Sequence, residues 1–206
     1  MSVRRFRAIT RYDRFGDFST MSVTHLTRAE LEAGLASIRS APRDGGELQL
    51  IVRRPAVGER DILDIGHLDV VDGLVGDTWK IRPSSRTPDR TPHPEMQINI
   101  MGVRAIGLIA GDKARWALAG DQLFLDMDLA VENLPAGTRL QIGTALLEVT
   151  EQPHTGCGKF VERFGVDAMK FVNSPVGREL CLRGINAHVM RNGVVRVGDR
   201  ARKLPS

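Results

Sequence analysis

From residue 47 onward the chain alternates short apolar runs with glycine, proline and asparagine, and few runs keep one period for long. Glu47–Arg54 (ELQLIVRR) reads as a strand with Leu48 and Leu50 on one face, and Ile62–Val71 supplies further β-type residues. Met96–Met101 (MQINIM) alternates as a half-buried strand, and Leu123 and Leu125 mark another. Arg139–Ile142 and Ala145–Glu148 flank Gly143-Thr144, a two-residue hairpin turn, in a register that sets Leu140 opposite Leu147 and Arg139 opposite Glu148. Residues 179–190 read as a strand whose phase slips. Leu180 and Leu182 are even, whereas Ile185, Ala187 and Val189 are odd, which predicts a bulge at Gly184. Asn192-Gly193 then predicts a type I′ hairpin into Val194–Val197.

Helical spacing is rarer. Thr27 and Glu30 have capping-box form, and Leu31, Leu35 and Ile38 follow at helical spacing, predicting a helix over 27–39 that stops before Pro42 and Asp44-Gly45-Gly46. Val103, Ile106, Leu108 and Ile109 suit a short helix ending at Gly111, with Trp116 as a core anchor. Phe160, Val161 and Phe164 form one helical face, and Gly165–Val172 reads as a second short helix ended by Asn173-Ser174-Pro175. Four prolines between 82 and 94 enforce an irregular loop, either a site cover or a plain surface connection. The pattern predicts a mainly β fold, a distorted closed β-barrel with a few short peripheral helices.

Charge changes this picture only at the N-terminus. Of the formal +4, residues 1–20 carry +3, through Arg4, Arg5, Arg7, Arg11 and Arg14 against Asp13 and Asp17. The remaining 186 residues are nearly balanced, which argues against a nucleic-acid surface. Met1-Ser2-Val3 recurs as Met21-Ser22-Val23, so residues 1–20 are expected to be a dispensable basic extension, 21–46 an N-terminal helical segment and 47–206 the barrel domain. No apolar run approaches membrane-spanning length. Two cysteines 24 residues apart make neither a disulfide framework nor a metal-ligand pair, and a cytoplasmic, reducing location is expected.

The candidate chemistry lies in EQPHTGCGKF, residues 151–160. Cys157 stands between Gly156 and Gly158, directly before the apolar helical face, with His154 and Lys159 close in sequence. A helix start and a nearby cation both favour thiolate over thiol, and the thiolate is the form that attacks sulfur or binds a soft metal. The plain alternative is a small buried hydrophobe. His154 either orients the loop, polarises the thiol or caps a turn; no second pair with ligand spacing supports zinc. Lys159, Arg163, Arg178 and Arg183 follow within 26 residues and suit an anionic ligand, with Lys159 the best candidate and Arg163 expected to be solvated. Cys181, between leucines in the predicted strand, is assigned no role. Hydrolase and P-loop signatures are missing from the sequence.

The pieces GLVGD (73–77), GDQLFLDMDL (120–129), ENLPAGTRLQIG (132–143), EQPHTGCGKF (151–160), FVNSPVGRELCLRG (171–184) and VVRVGD (194–199) together resemble the MOSC domain, the module named for the C-terminal domain of molybdenum cofactor sulfurase. The resemblance covers most of residues 47–201 and is closest to stand-alone bacterial members; Thr78 and Trp79 replace the basic residue and histidine that often follow the first signature. It implies a distorted β-barrel whose cysteine loop lines a cleft. It also implies a molybdenum cofactor (molybdopterin) as ligand, with Cys157 carrying sulfane sulfur as a persulfide or ligating molybdenum. His154 and Lys159 would assist there, while Asn133, Thr155, Arg178 and Arg183 would contribute to cofactor binding. Sulfur transfer and molybdenum-dependent reduction are both activities it permits. The alternatives are a non-catalytic module that binds molybdopterin or a small anion, and a thiol-based redox sensor. A sulfur donor or redox partner protein would follow from the first reading; nucleic acid, membrane and a PLP site are not expected.

Overall fold

The computed structural model describes residues 25–205. The sequence expectations for residues 1–20, and for 21–24 at the head of the helical segment, lie outside them. The chain begins with α1 (Arg28–Ala33) and α2 (Leu35–Arg39). The capping box forms as expected, Thr27 accepting from the Glu30 N–H while Glu30 reaches back, but the expected single helix is split at Gly34. A Cβ at Gly34 would run into Leu108, so the break lets the helix pair lie close against the body.

The strands are β1 (Gly46–Arg53), β2 (Asp61–Leu63), β3 (Ile65–Asp69), β4 (Gly73–Leu74), β5 (Ile98–Gly102), β6 (Leu123–Asp126), β7 (Arg139–Ile142), β8 (Ala145–Val149), β9 (Ile185–Arg191), β10 (Gly193–Arg196) and β11 (Arg200–Lys203). Between them come α3 (Val103–Ala110), α4 (Gly158–Val172) and α5 (Pro175–Glu179). Strands β11, β7, β8, β9, β5, β6 and β1 pair in that order, and Gly46 and Glu47 of β1 return to Ala201 and Arg200 of β11 to close the barrel. Further along, the outer flank of β1 pairs with β2 instead. All barrel pairs are antiparallel except β5–β6, where α3 and a 3₁₀ segment make the crossover. β10, β3 and β4 form a separate small sheet.

The barrel strands bury both faces, which explains runs such as LQLIV. Leu48, Ile51, Ile98, Ile100, Leu123 and Leu125 point into the barrel, whereas Leu50, Val52, Met101 and Phe124 pack outward beneath the helices. There they meet Leu31 of α1, Ile106 of α3 and Phe160, Phe164 and Phe171 of α4. This second core fixes α4, and with it Cys157, to the barrel wall.

The β7–β8 hairpin has the expected register, with Leu140 opposite Leu147 and Arg139 paired to Glu148 at 3.3 Å. Two other expectations are corrected. Residues 180–183 form a turn after α5, so the parity slip marks a change of element and not a bulge in one strand. Asn192-Gly193 makes no hairpin: β10 leaves β9 and pairs with β3, while Asn192 accepts from the Val70 N–H at 2.8 Å and donates to Asp69 at 2.6 Å. The two helical segments expected at 160–172 are both present within α4, broken where Gly165 takes a non-helical backbone (φ +86°, ψ 164°) beside His25. No helix among the described residues is long and apolar enough to cross a membrane.

Candidate functional site

Cys157 is the N-cap of α4. Its backbone is extended (φ −125°, ψ −179°), its carbonyl accepts from Phe160 and Val161, and its side chain makes no capping bond. The thiol is exposed at the end of the helix. Neither flanking glycine uses a positive φ. Gly156 is required by packing: a Cβ there would meet Val172 at 3.0 Å and Met169 at 3.3 Å. Gly158 has open space around it, so no side chain screens the sulfur from that side. Asn173, at the far end of α4, clamps Gly156 through both its backbone groups and receives no signal in the sequence beyond that of a helix terminator.

His154 is turned inward. Nδ1 is enclosed and lies 3.4 Å from Oδ1 of Asp121, a fully buried carboxylate at the head of β6. Asp121 is held by Arg183, whose Nη1 donates to Oδ2 at 2.7 Å and whose Nη2 donates to the Ala119 carbonyl at 2.9 Å. The Arg183 guanidinium also lies 5.1 Å from the ring of Phe160, in the first turn of α4. Burial pushes the Asp121 carboxyl up, with the Arg183 charge opposing it. Burial first, then the charges of Arg183, Arg54 and Arg86, hold the His154 imidazole well below its usual range.

On the other side of Gly120 stands a group of arginines, of which the sequence singles out only Arg163, there expected to be solvated. Arg54 is buried and grips Asp77 of GLVGD through two bonds of 2.7 and 2.8 Å, while its Nη1 donates to Asn99 and to the Gly120 carbonyl. Arg60 and Arg163 both reach the vicinity of Gly120, and Arg163 donates to the Leu118 carbonyl at 2.6 Å. Burial, then repulsion by Arg163, Arg54 and Arg82, pushes Arg60 down to about 10. Asp77 is the carboxylate that offsets them: burial would raise it, but the bonds and charge of Arg54 outweigh that and hold it below its usual range. The available signals were the Arg53-Arg54 pair at a strand end and the aspartates of GLVGD and GDQLF.

The remaining expected site residues fall in different places. Lys159 is exposed on the first turn of α4, next to Cys157, and Thr155 is half-buried in the same loop. Arg178 is exposed on α5. Asn133 is buried and fully engaged with the scaffold, donating to the Arg43 and Asp128 carbonyls and accepting from Arg43 and Lys203. Arg86, in the proline-rich loop, donates to Gln152 at 3.1 Å, so that loop leans against the cysteine segment.

Residues 110–202 match the family model described as the MOSC domain, a span that holds Asp121, His154, Cys157, Arg163 and Arg183. Among solved structures the fold is similar to that of YuaD protein from Bacillus subtilis (TM-score 0.57, 19% identity, 76% of this chain and 93% of that one). It is also similar to a hypothetical protein (TM-score 0.52, 18% identity, 82% and 72%) and to YiiM from Escherichia coli (TM-score 0.51, 17% identity, 78% and 70%). No curated protein matches the chain.

Proposed function

We propose that this protein binds a molybdopterin-type cofactor, with Cys157 as its sulfur ligand and the arginines around Gly120 holding its phosphate. The observation that carries the reading is an uncapped, exposed thiol at a helix start, on the same wall as a surplus of cations. Arg60 is repelled by Arg54, Arg82 and Arg163, with Asp77 offsetting part of their charge. A phosphate placed among them would relieve that repulsion and accept charge-assisted bonds. These residues therefore fit the anionic end of such a group, and the thiolate fits its soft metal. Bound there, the cofactor would supply oxygen-atom or sulfur chemistry at molybdenum.

The chain's own part is to bind and to orient. Arg54, fixed by Asp77 and Asn99, sets the floor of the anion site; Arg60 and Arg163, which also donate to the Ala117 and Leu118 carbonyls, supply its further cations; Lys159 adds charge beside the sulfur. Cys157 serves as a metal ligand or, by exchange with a persulfide donor, as carrier of one sulfane sulfur, and the exposed position suits both.

The test is molybdenum and pterin content per chain after purification from a cofactor-competent host. The parent is expected to retain both. Cys157→Ser should lose molybdenum, and Arg60→Ala with Arg163→Ala should lose pterin as well. A parent chain free of both would overturn the reading.

A further inference from the structure

Three buried polar atoms without a hydrogen-bond partner belong to one connected group: Nδ1 of His154, Oδ1 of Asp121 and Nε of Arg183. Native interiors leave few such atoms unpaired, and three on residues joined through Asp121 mark a place held for something other than packing. Here the carboxylate links residues packed on both sides of the Cys157 loop. One oxygen holds Arg183, which lies against Phe160 three residues after the cysteine; the other faces His154, three residues before it.

We propose that Asp121 is a positioning residue that fixes His154 with its proton on Nδ1, leaving Nε2 as the proton acceptor of the cysteine site. The inference rests on the reading of that loop as a ligand site. Its logic is one of protonation states. Arg183 donates to Asp121 at 2.7 Å deep in the protein; a proton taken up by Asp121 would leave that guanidinium as an uncompensated buried charge. The carboxylate is therefore ionised, and an ionised carboxylate can only accept. Nδ1, 3.4 Å away, must bring the hydrogen. The groups that face the ring are Asp121 and the cations Arg183, Arg54 and Arg86, and this excess of positive charge together with burial disfavours a second proton. A neutral ring protonated at Nδ1 has its lone pair on Nε2. Nδ1 is enclosed while the side chain keeps 11% of its surface accessible, so access to the ring is from elsewhere than the Asp121 side. A proton arriving at the accessible side of the ring would then rest on Nε2, with Asp121 stabilising the imidazolium so formed.

The experiment uses the metal-free full-length chain, so its outcome is independent of cofactor loading. Long-range proton–nitrogen correlation on 15N-histidine-labelled protein at pH 7 should show His154 neutral, with Nδ1 protonated. In Asp121→Asn the amide oxygen stays with Arg183 and the NH₂ turns to Nδ1, which inverts the tautomer. Diethylpyrocarbonate, which attacks an unprotonated ring nitrogen, should modify His154 in the parent and at least tenfold more slowly in Asp121→Asn. A parent ring protonated on Nε2, or charged at pH 7, overturns the proposal whether or not the variant folds; so does a His154 inert to the reagent while exposed histidines react. A chain that shows the expected tautomer yet never retains molybdenum or pterin would instead retire the cofactor reading.

Discussion

Asn173 grips the backbone of Gly156 on both sides: its Oδ1 accepts the Gly156 N–H at 2.9 Å and its Nδ2 donates to the Gly156 carbonyl at 3.1 Å. The C-cap of α4 thus ties down the loop that precedes the helix, 17 positions earlier in the chain. Cys157 is held at the N-cap by this clamp and by the packing of Gly156 on Val172. Asn173→Ala removes both bonds and should cost about 1–3 kcal/mol. Hydrogen exchange at the Gly156 amide should accelerate more than global unfolding predicts. Unchanged protection would mean that packing alone holds the loop.

The two thiols should differ sharply in reactivity. Burial, with the Asp128 charge adding to it, pushes Cys181 up to about 11, whereas Cys157 is exposed at a helix start. Since only the thiolate alkylates, iodoacetamide at neutral pH should label Cys157 at least about tenfold faster than Cys181. Mass spectrometry of partially labelled protein reads this directly, and comparable rates would contradict the site's accessibility.

Gly184 is required by its backbone. It takes φ +101°, and a Cβ there would collide with the Ile100 carbonyl in β5. Gly184→Ala should therefore lose at least about 2 kcal/mol in chemical denaturation. The penalty arises at the entry to β9 and not from a bulge, so Leu182, within the turn, should show no exchange coupling to Val189 in the strand. A variant as stable as the parent would show that this turn relaxes freely.

Stability should fall in mild acid. His154 has a folded value well below that of the unfolded chain, through burial and then the charges of Arg183, Arg54 and Arg86. Below about pH 6.5 the unfolded state takes up a proton that the folded state refuses, and stability drops by up to about 1.4 kcal/mol per pH unit. Asp121, whose folded value is raised, acts in the opposite sense, so the measurement is the difference between the parent and His154→Asn from pH 6.5 to 5.5. The parent should show the steeper loss of stability. Parallel curves would mean that His154 protonates freely in the folded chain.

Much of the β architecture was legible because its signals are local. The Gly143-Thr144 turn, with apolar residues two apart on each side, determines the β7–β8 register, and the capping box determines where α1 starts. Cys157 was legible for a similar reason, since adjacent glycines and a following apolar face specify a helix start. What the sequence could not settle is which surfaces meet. Asn192-Gly193 has the composition of a hairpin, yet Asn192 spends its side chain on Val70 and Asp69, more than 120 residues away, and β10 follows it to β3. Cys181 looks like a strand residue between leucines, but the approach of Gly184 to β5 forces a turn there, with Cys181 at φ +48°. The site divides in the same way. Cys157 and Lys159 are neighbours along the chain, whereas Arg54, Arg60, Asp121, Arg163 and Arg183 converge only because closing the barrel brings the ends of β1, β6 and β9 beside α4. A charge pattern read along the chain shows these arginines balanced by nearby acids. Only the tertiary structure, by burying Arg54 with Asp77 and Arg183 with Asp121, decides which cations are spent on the scaffold and which remain for a ligand.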